Sequence, residues 1–190
     1  MAPMHTRIID STELNAITQA AVLLRRGEVV AFPTETVYGL GANALDAAAV
    51  AKIFTAKDRP ADNPLIVHVV GQEMLQQVTA SLTPTAEQLI SACWPGPLSL
   101  VLPRHEHVPS ATTAGLSSVV VREPAHPVAR ALIATAEVPI AAPSANRSGR
   151  VSATTAADVV AELADRVALV VDGGPSPLGL ERTVVDLSGP

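Results

Sequence analysis

The sequence predicts an α/β fold in which a sheet is flanked by helices. Short apolar runs of strand length alternate through most of the chain with segments whose apolar residues recur at helical spacing. Prolines and glycines separate the two kinds of segment. With 190 residues, 48% of them apolar, the chain can bury the core of one domain, which we place at residues 1–190. Aromatic residues make up only 2%, so we expect a core of valine, leucine, isoleucine and alanine.

In the first half of the chain, boundary residues mark the ends of the predicted helices. Gly27 is a typical residue after a helix, Asp46 is a typical N-cap, and the Trp94–Pro97 run is incompatible with helix. The predicted elements are a helix at 11–26, a strand at 28–32, a helix at 47–56, a strand at 65–70, and helices at 74–78 and 85–93. Strands and helices therefore alternate, as an α/β sheet requires.

The second half continues the alternation and adds a loop rich in small residues. Its predicted elements are strands at 98–102, 118–121, 138–142, 167–171 and 183–187, and helices at 127–135 and 156–165. Residues 109–117 are rich in Ser, Thr, Ala and Gly, so we expect a mobile loop able to cover a site. Several polar loops follow strands, and we expect their hydrogen-bond donors to converge.

Composition also restricts the function and the location. The formal net charge of −5 is unlike that of proteins that coat nucleic acid non-specifically, because such binding depends on many phosphate contacts. Cys93 is the single cysteine, which excludes an intramolecular disulfide and favours a reducing, cytoplasmic location. No run approaches the roughly 18 apolar residues that span a bilayer, and residues 1–10 lack a signal-peptide core, so we expect no membrane association.

Residues 39–44 match the dinucleotide-binding pattern G-x-G-x-x-A, but their position argues against a nicotinamide site. The pattern requires glycines in the tight turn that directly leaves a strand, whereas six residues separate Phe32 from Gly39. We expect instead that residues 34–41 form a flexible ligand loop at the carboxyl end of a strand, where ligands bind in open α/β sheets. The P-loop pattern G-x-x-x-x-G-K-[ST] does not occur.

Residues 104–107, Arg-His-Glu-His, raise the question of a metal site. In an extended segment these alternate side chains share one face only as a bidentate pair, and no third ligand is near in sequence. We therefore expect a solvated loop and predict no metal site built by the protein.

Two cations, Lys57 and Arg59, stand two residues apart where a predicted helix ends and prolines follow. An ammonium and a guanidinium differ in donor geometry, and together they suit an anion with several oxygens, such as a polyphosphate. The alternative is that Lys57 interacts with the helix dipole while Arg59 lies solvated on the surface. The two residues alone favour this second interpretation, because cations near helix ends are common.

Polar residues elsewhere also allow two interpretations. The turn at 143–150, Pro-Ser-Ala-Asn-Arg-Ser-Gly-Arg, is either an anion-binding nest or an ordinary turn. His68 lies in a predicted buried strand, where a histidine is usually a hydrogen-bonded core residue. Arg122 stands at the end of another predicted strand.

Four segments taken together resemble the YrdC-like family of threonylcarbamoyl-adenylate (threonylcarbamoyl-AMP) synthases. They occur in the order in which the family has them, at 33–40, 57–65, 94–99 and 143–146, and the resemblance extends over about 27–187. Lys57 and Arg59 match the family's K-x-R motif, and Ser144 and Asn146 match its S-x-N motif.

The resemblance implies both a fold and a reaction. The fold is a twisted mixed sheet flanked by helices, with an open, positively charged cavity and without the additional C-terminal domain of longer members. The reaction is a nucleotidyl transfer in which L-threonine, bicarbonate and ATP give threonylcarbamoyl-AMP and pyrophosphate, toward threonylcarbamoyladenosine in tRNA. The implied partners are the downstream tRNA threonylcarbamoyl-transfer machinery and, as a contact, tRNA itself.

The resemblance also implies roles for individual residues. The expected phosphate-holding and catalytic residues are Lys57, Arg59, Ser144 and Asn146. The expected further residues on the nucleotide side are Asn63, Ser118 and Ser152. The residues expected to face threonine are Thr36, His68 and Arg122, with the Arg122 guanidinium suited to the carboxylate. Mg²⁺ is expected to arrive with ATP and to share the phosphate charge.

One position departs from the family pattern. Arg182 stands directly before the Thr-Val-Val-Asp segment at 183–186, at a position where the family usually has a serine close to the bound substrate threonine. Its guanidinium is expected either to contact the substrate's carboxylate or phosphate, or to obstruct the pocket, and we include Arg182 among the threonine-binding residues. Cys93 lies in a predicted helix without an evident base, so we expect no covalent nucleophile.

Two other functions remain open from the sequence. A family with a basic cavity also suggests an RNA-binding module without catalysis, although the acidic net charge disfavours it. In a third interpretation the protein has the same fold but synthesises carbamoyl-adenylate, as related domains of carbamoyltransferases do.

Overall fold

A computed structural model describes residues 5–188 of the chain, and in that range it contains nine strands and seven helices. The strands are β1 (Arg7–Asp10), β2 (Val30–Phe32), β3 (Gly39–Asn43), β4 (Ile66–His68), β5 (Leu98–Pro103), β6 (Ser118–Arg122), β7 (Ile140–Ala141), β8 (Leu169–Asp172) and β9 (Thr183–Asp186). The helices are α1 (Ala16–Arg25), α2 (Ala47–Lys57), α3 (Gly71–Val78), α4 (Pro84–Cys93), α5 (Ser110–Thr113), α6 (Pro127–Ala136) and α7 (Ala156–Leu163).

All nine strands of this range join one sheet, in the order β1-β8-β2-β3-β7-β4-β6-β5-β9. The sheet is mixed: β4 runs parallel to β6, whereas β7 runs antiparallel to both β3 and β4. The predicted α/β fold with a mixed sheet and flanking helices is therefore confirmed.

The core has the composition that the sequence predicted, since valine, leucine, isoleucine and alanine dominate it. Phe32 and Tyr38 are the buried aromatic residues of the cluster. Burial of each large aliphatic side chain contributes about 1.5–3 kcal/mol, so the central strands of the sheet are held mainly by these contacts.

The predicted helix ends are largely correct. Gly27 follows α1 with a φ of +75°, a conformation that glycine adopts at little cost. The Asp46 carboxylate accepts hydrogen bonds from the amides of Ala48 and Ala49 at the start of α2. The predicted helix at 11–26 is too long, because α1 begins at Ala16 and residues 7–10 form a strand that the sequence did not indicate. That edge strand has only one buried residue, so its apolar signal is weak.

The expected flexible loop at 34–41 is wrong in its second half. Residues 39–43 form β3, which pairs antiparallel with β2. A Cβ atom on Gly41 would lie 2.7 Å from Phe32 and 2.8 Å from Ile140. Gly41 therefore serves close packing of neighbouring strands rather than flexibility, and the turn is confined to residues 33–38.

The expected mobile loop at 109–117 is also wrong. It contains the short helix α5, and Thr112 within it is fully buried. The Thr112 hydroxyl donates to the carbonyl of Ala44 at 2.8 Å, and the Thr112 carbonyl accepts from the amide of Leu65 at 3.0 Å. Main-chain groups thus satisfy polar atoms that made the segment look solvated.

The structure also bears on the membrane and metal expectations. Between residues 5 and 188, no helix is long and apolar enough to cross a bilayer. Over the same range, no group of three or more His, Cys, Asp and Glu side chains is placed to hold a metal ion. His105 instead accepts a hydrogen bond from the amide of His107 at 3.3 Å, and the two rings lie 4.5 Å apart.

Candidate functional site

Two neighbouring cavities lie over one face of the sheet. The wall of the inner cavity includes Thr36, His68, Arg122, Ser144 and Arg182, and the cavity measures only about 10 Å³, room for about one water molecule. The outer cavity measures about 420 Å³ and is bounded mainly by Arg59, Asn63, Ser144, Glu181 and Arg182. Ser144 and Arg182 lie on the walls of both cavities.

Strand register places the inner-cavity residues side by side. His68 ends β4 and Arg122 ends β6, and these residues are direct partners in the parallel pair. Ile66 lies two residues before His68, so both side chains point to the same face of the sheet. Thr36 approaches from the turn at 33–38. The structure therefore brings together the three residues that were expected to face threonine.

Arg122 is almost completely buried, and each of its nitrogen atoms has a neighbouring acceptor. Nε donates to the carbonyl of Gly96 at 3.1 Å, and Nη1 donates to Thr36 Oγ1 at 3.1 Å. Nη2 lies 2.5 Å from a carboxylate oxygen of Glu35. Burial lowers the pKa of Arg122, and the Glu35 carboxylate acts in the opposite direction. Glu35 was not among the predicted site residues. The sequence feature that could have indicated it is its position between Thr34 and Thr36, which both line the site.

The hydroxyls of Thr34 and Thr36 form a directional chain. Thr34 Oγ1 donates to the carbonyl of Val37 at 2.7 Å and lies 2.9 Å from Thr36 Oγ1. Because Thr34 has one hydroxyl hydrogen, Thr36 must be the donor between the two threonines. Thr36 also receives a hydrogen bond from Arg122, so its remaining capacity is that of an acceptor. The inner cavity therefore offers a hydroxyl oxygen that suits an N–H or O–H donor.

His68 contributes an uncharged imidazole to the inner cavity. Burial lowers its pKa to about 3, and the positive charges of Arg122 and Arg182 add to the effect. Nδ1 is buried, and no described residue is hydrogen-bonded to it. Backbone hydrogen bonds with Ile66 and Ile140 act on the imidazole, as expected for a core histidine, but Nδ1 has no partner among the described residues and can meet a ligand.

In the outer cavity, Arg59 is the guanidinium with the weakest protein contacts. Its Nη2 donates to the carbonyls of Asn63 and Pro64, each at 3.4 Å, near the limit for a hydrogen bond. Its Nε is buried, and no partner lies among the described residues. Burial lowers the pKa of Arg59, and the charge of Arg182 adds to this effect. A guanidinium with spare buried donors suits an anionic ligand.

Lys57 and Asn146 occupy different positions from Arg59. Lys57 is only 1% exposed and lines neither the inner nor the outer cavity. Its Nζ donates to the carbonyls of Ser144 and Asn146. The Asn146 side-chain amide donates to the carbonyls of Arg147 and Arg150, both at 2.8 Å. Burial, and then the charge of Arg59, lower the pKa of Lys57 to about 8.

Arg182 forms an ion pair with the adjacent Glu181, and the Ser152 hydroxyl donates to Glu181 at 2.7 Å. Glu181 lies on the wall of the outer cavity and also of a third cavity of about 670 Å³ that includes Ser152. Glu181 was not among the predicted site residues. The three side chains connect the outer cavity with the region that contains Ser152.

Ser118, like Lys57 and Asn146, is a predicted site residue that lines none of these cavities. It begins β6, paired with Pro103, and does not appear among the residues that line the cavities described above. It lies four positions before Arg122 on the same strand, so the two side chains share a face of the sheet roughly 13 Å apart.

The site is locally positive in a chain whose formal net charge is −5. Three cations, Arg59, Arg122 and Arg182, line the inner and outer cavities, and the carboxylates paired with two of them are those of Glu35 and Glu181. The excess of positive charge suits a polyanionic ligand beside a smaller one.

Comparison with known proteins agrees with this geometry. The Sua5/YciO/YrdC family model, described as "Telomere recombination", matches residues 22–190. A threonylcarbamoyl-AMP synthase of Pyrococcus abyssi is 53% identical over 169 residues, which are 89% of this chain and 50% of that protein. A protein of the same name from Bacillus subtilis is 52% identical over 176 residues, covering 92% of this chain and 51% of its own length.

A solved structure agrees with the sequence comparisons. The crystal structure of P. abyssi Sua5 complexed with L-threonine superposes with a TM-score of 0.93 at 51% identity, covering 96% of this chain and 54% of that chain. The chain thus spans about half the length of the curated relatives it matches. On the extent of the family match and the identity to these relatives, the chain belongs to the Sua5/YciO/YrdC family.

Proposed function

We propose that this chain is a threonylcarbamoyl-AMP synthase, a nucleotidyl-transferring enzyme that acts toward threonylcarbamoyladenosine in tRNA. The observation that carries the proposal is the pair of adjoining cavities, which share Ser144 and Arg182. One cavity has groups suited to an amino acid and the other has groups suited to a polyphosphate. The relative from P. abyssi that binds L-threonine, and the names of the relatives, support the same conclusion.

The reaction requires two anions to meet. The threonine amine and bicarbonate form a carbamate with loss of water. A carbamate oxygen then bonds to the α-phosphorus of ATP, and the bond from that phosphorus to the bridging oxygen breaks to release pyrophosphate. The protein's contribution is positioning together with neutralisation of charge. A junction between the two cavities is where such a bond has to form.

In the inner cavity, Arg122 is suited to the carboxylate of threonine, and the acceptor oxygen of Thr36 is suited to an amine or hydroxyl donor. His68 adds a neutral imidazole. Threonine is several times larger than the water molecule for which this cavity has room. The inner cavity therefore has to widen when an amino acid enters. Arg182 lies on the wall that the two cavities share and is paired with Glu181, which accepts a hydrogen bond from Ser152.

In the outer cavity, Arg59 and Ser144 are suited to the phosphates of ATP, with Asn63 beside them. The family resemblance assigns Ser152 and Ser118 to the remainder of the nucleotide; Ser152 lines the third cavity, whereas Ser118 lines none of the three. Lys57 and Asn146, which the motif also assigns to phosphate, contact the turn at 143–150.

We expect Mg²⁺ to enter with ATP, because the carboxylate on the outer-cavity wall is that of Glu181 and it is paired with Arg182. A single paired carboxylate fits an ion carried mainly on phosphate oxygens and water. When bound, the ion neutralises charge on the triphosphate. A cytoplasmic location and a downstream partner that transfers the threonylcarbamoyl group to tRNA complete the proposal.

The direct test measures pyrophosphate release by purified protein with ATP, Mg²⁺, bicarbonate and L-threonine. We expect release that requires both threonine and bicarbonate, and that falls at least about 100-fold in Arg59→Ala, because a charge-assisted phosphate contact is lost. Absence of threonine-dependent release would contradict the proposal. Release with carbamoyl phosphate instead would support the carbamoyl-adenylate alternative, and RNA binding without turnover would support the non-catalytic one.

A further inference from the structure

Lys57 is a buried lysine that ends α2 and lines neither the inner nor the outer cavity. Among residues 5–188, the polar contacts of its Nζ are the carbonyl oxygens of Ser144 and Asn146. A buried ammonium is costly unless its hydrogens are accepted, and main-chain carbonyls accept them here. The Lys57 side chain therefore joins α2 to the turn at 143–150, and its ammonium does not point into either cavity.

The same turn is attached to α2 in a second way. The amide of Ser148 donates to the carbonyl of Lys57 at 3.0 Å. Within the turn, the Asn146 side chain spans from the carbonyl of Arg147 to that of Arg150. The main chain and the side chain of Lys57 thus contact both halves of the turn, and Asn146 closes it.

The position of Ser144 depends on these contacts. Its carbonyl accepts from Lys57, and its backbone forms an isolated bridge with Gly39 at the start of β3. Between these two attachments, Ser144 reaches the walls of both cavities. Loss of the Lys57 contact would leave the buried carbonyl of Asn146 and the part-buried carbonyl of Ser144 without this donor and would free one side of the turn.

We propose that Lys57 is a positioning residue whose ammonium holds the turn at 143–150, and thereby Ser144, in place without itself contacting phosphate. The statement about the turn concerns the ligand-free protein. Its consequence for ATP rests on the proposed function. The proposal differs from the phosphate-binding role that the K-x-R motif implies, and Arg59 alone of the two cations then faces the nucleotide.

Lysine labelling of the unmodified protein provides the first test. Lys52 and Lys57 are the two lysines of the chain, and Lys52 lies on the same helix with 44% of its side chain exposed. We expect reductive methylation, followed by peptide mass spectrometry, to modify Lys57 at least about tenfold more slowly than Lys52 without nucleotide. ATP should change neither rate. Modification of Lys57 as fast as Lys52 without nucleotide, or ATP-dependent protection of Lys57, would overturn the proposal.

Hydrogen–deuterium exchange provides the second test. We expect Lys57→Met to raise exchange of the 144–150 amides at least about tenfold in the nucleotide-free protein, whereas the matched control Lys52→Met leaves it unchanged. Unchanged exchange in Lys57→Met together with lost ATP affinity identifies a direct phosphate ligand and overturns the proposal. If Lys57→Met does not fold, the labelling of the unmodified protein still decides.

A kinetic measurement separates positioning from a general structural role. Displacement of Ser144 should raise the KM for ATP about tenfold or more in Lys57→Met. A residue needed only for folding would lower the apparent kcat through the active fraction and leave the KM for ATP unchanged, and that result would overturn the proposal. If the unmodified protein does not bind ATP, the proposed function fails, while labelling and exchange still decide whether Lys57 holds the turn.

Discussion

At the scale of single residues, the site is built from charges that are already paired before any ligand arrives. Arg122 pairs with Glu35 and Arg182 pairs with Glu181, whereas Arg59 has only two long contacts to carbonyls. Pairing makes burial of a guanidinium tolerable and holds it in one orientation. The least satisfied cation is therefore the one that we assign to phosphate.

The buried pair of Arg122 and Glu35 should matter for stability. Glu35→Ala leaves the Arg122 guanidinium buried without its carboxylate, and we expect a loss of about 3–5 kcal/mol in the free energy of unfolding, measured by urea denaturation. The control is Glu28→Ala, which removes the exposed partner of Lys52 and should cost below about 1 kcal/mol. Equal costs for the two variants would contradict the assignment.

Arg182 should contribute to nucleotide binding. Arg182→Ser removes a cation from the wall of the outer cavity, so we expect the dissociation constant for ATP to rise about tenfold, measured by titration calorimetry. Arg182→Lys keeps a point charge and should lose less. Unchanged ATP affinity in Arg182→Ser would remove this residue from the nucleotide site and leave a contact with threonine or obstruction of the inner cavity.

His68 should make the protein sensitive to acid. Its folded-state pKa of about 3 lies below the ordinary 6.5, so its contribution to stability is complete above pH 6.5 and is lost as the pH falls toward 3. We expect the free energy of unfolding to fall by roughly 1–2 kcal/mol more in the natural protein than in His68→Asn between about pH 7 and pH 5. Parallel pH profiles would contradict a neutral buried His68.

At the scale of elements, the turns at 33–38 and 143–150 reach the site because of how their strands pair. β3 and β7 run antiparallel, and the turns meet where Gly39 and Ser144 form an isolated bridge. Neither turn is a lid, since buried hydrogen bonds hold Thr34 and Asn146. These elements therefore present a largely preformed face to the cavities.

Close packing of β2, β3 and β7 should not tolerate a side chain at Gly41. The added methyl of Gly41→Ala would overlap Phe32 and Ile140, and we expect a cost of about 1–3 kcal/mol in thermal or urea unfolding. Gly39→Ala is the graded comparison, because its nearest neighbour would lie at 3.3 Å. A larger loss at Gly39 than at Gly41 would contradict this account of β3.

At the scale of the whole molecule, an acidic chain carries a locally basic site. The formal net charge is −5, and the cations at the cavities come from segments that are distant in sequence. Such a distribution favours binding of a small polyanion in a cavity over broad contact with nucleic acid.

ATP should accordingly stabilise the folded protein. At a concentration of 100 times the dissociation constant, ATP with Mg²⁺ adds about 2.7 kcal/mol to the free energy of unfolding and raises the melting temperature. Arg59→Ala should abolish most of this shift, whereas the control Arg7→Ala, on the edge strand β1, should retain it. An equal shift in both variants would remove Arg59 from the nucleotide site.

Local sequence signals predicted most of the elements and many of their ends. These signals act over a few residues, so they can be recognised without knowledge of the fold. They are the N-cap at Asp46, the helix end at Gly27 and the prolines after Trp94. The edge strand β1, strand β3 and the packed helix α5 were missed because pairing and burial, rather than their own composition, stabilise them.

By itself, the sequence determined the α/β class, the aliphatic core and, through ordered motifs, the family of this protein. Only the tertiary structure decided which site residues face a cavity. Arg59 and Ser144 do, whereas Lys57 and Asn146 support the turn beside them. It also revealed Glu35 as the partner of Arg122. The reason is that direction and pairing depend on residues brought together from separate strands and turns, and spacing along the chain does not encode them.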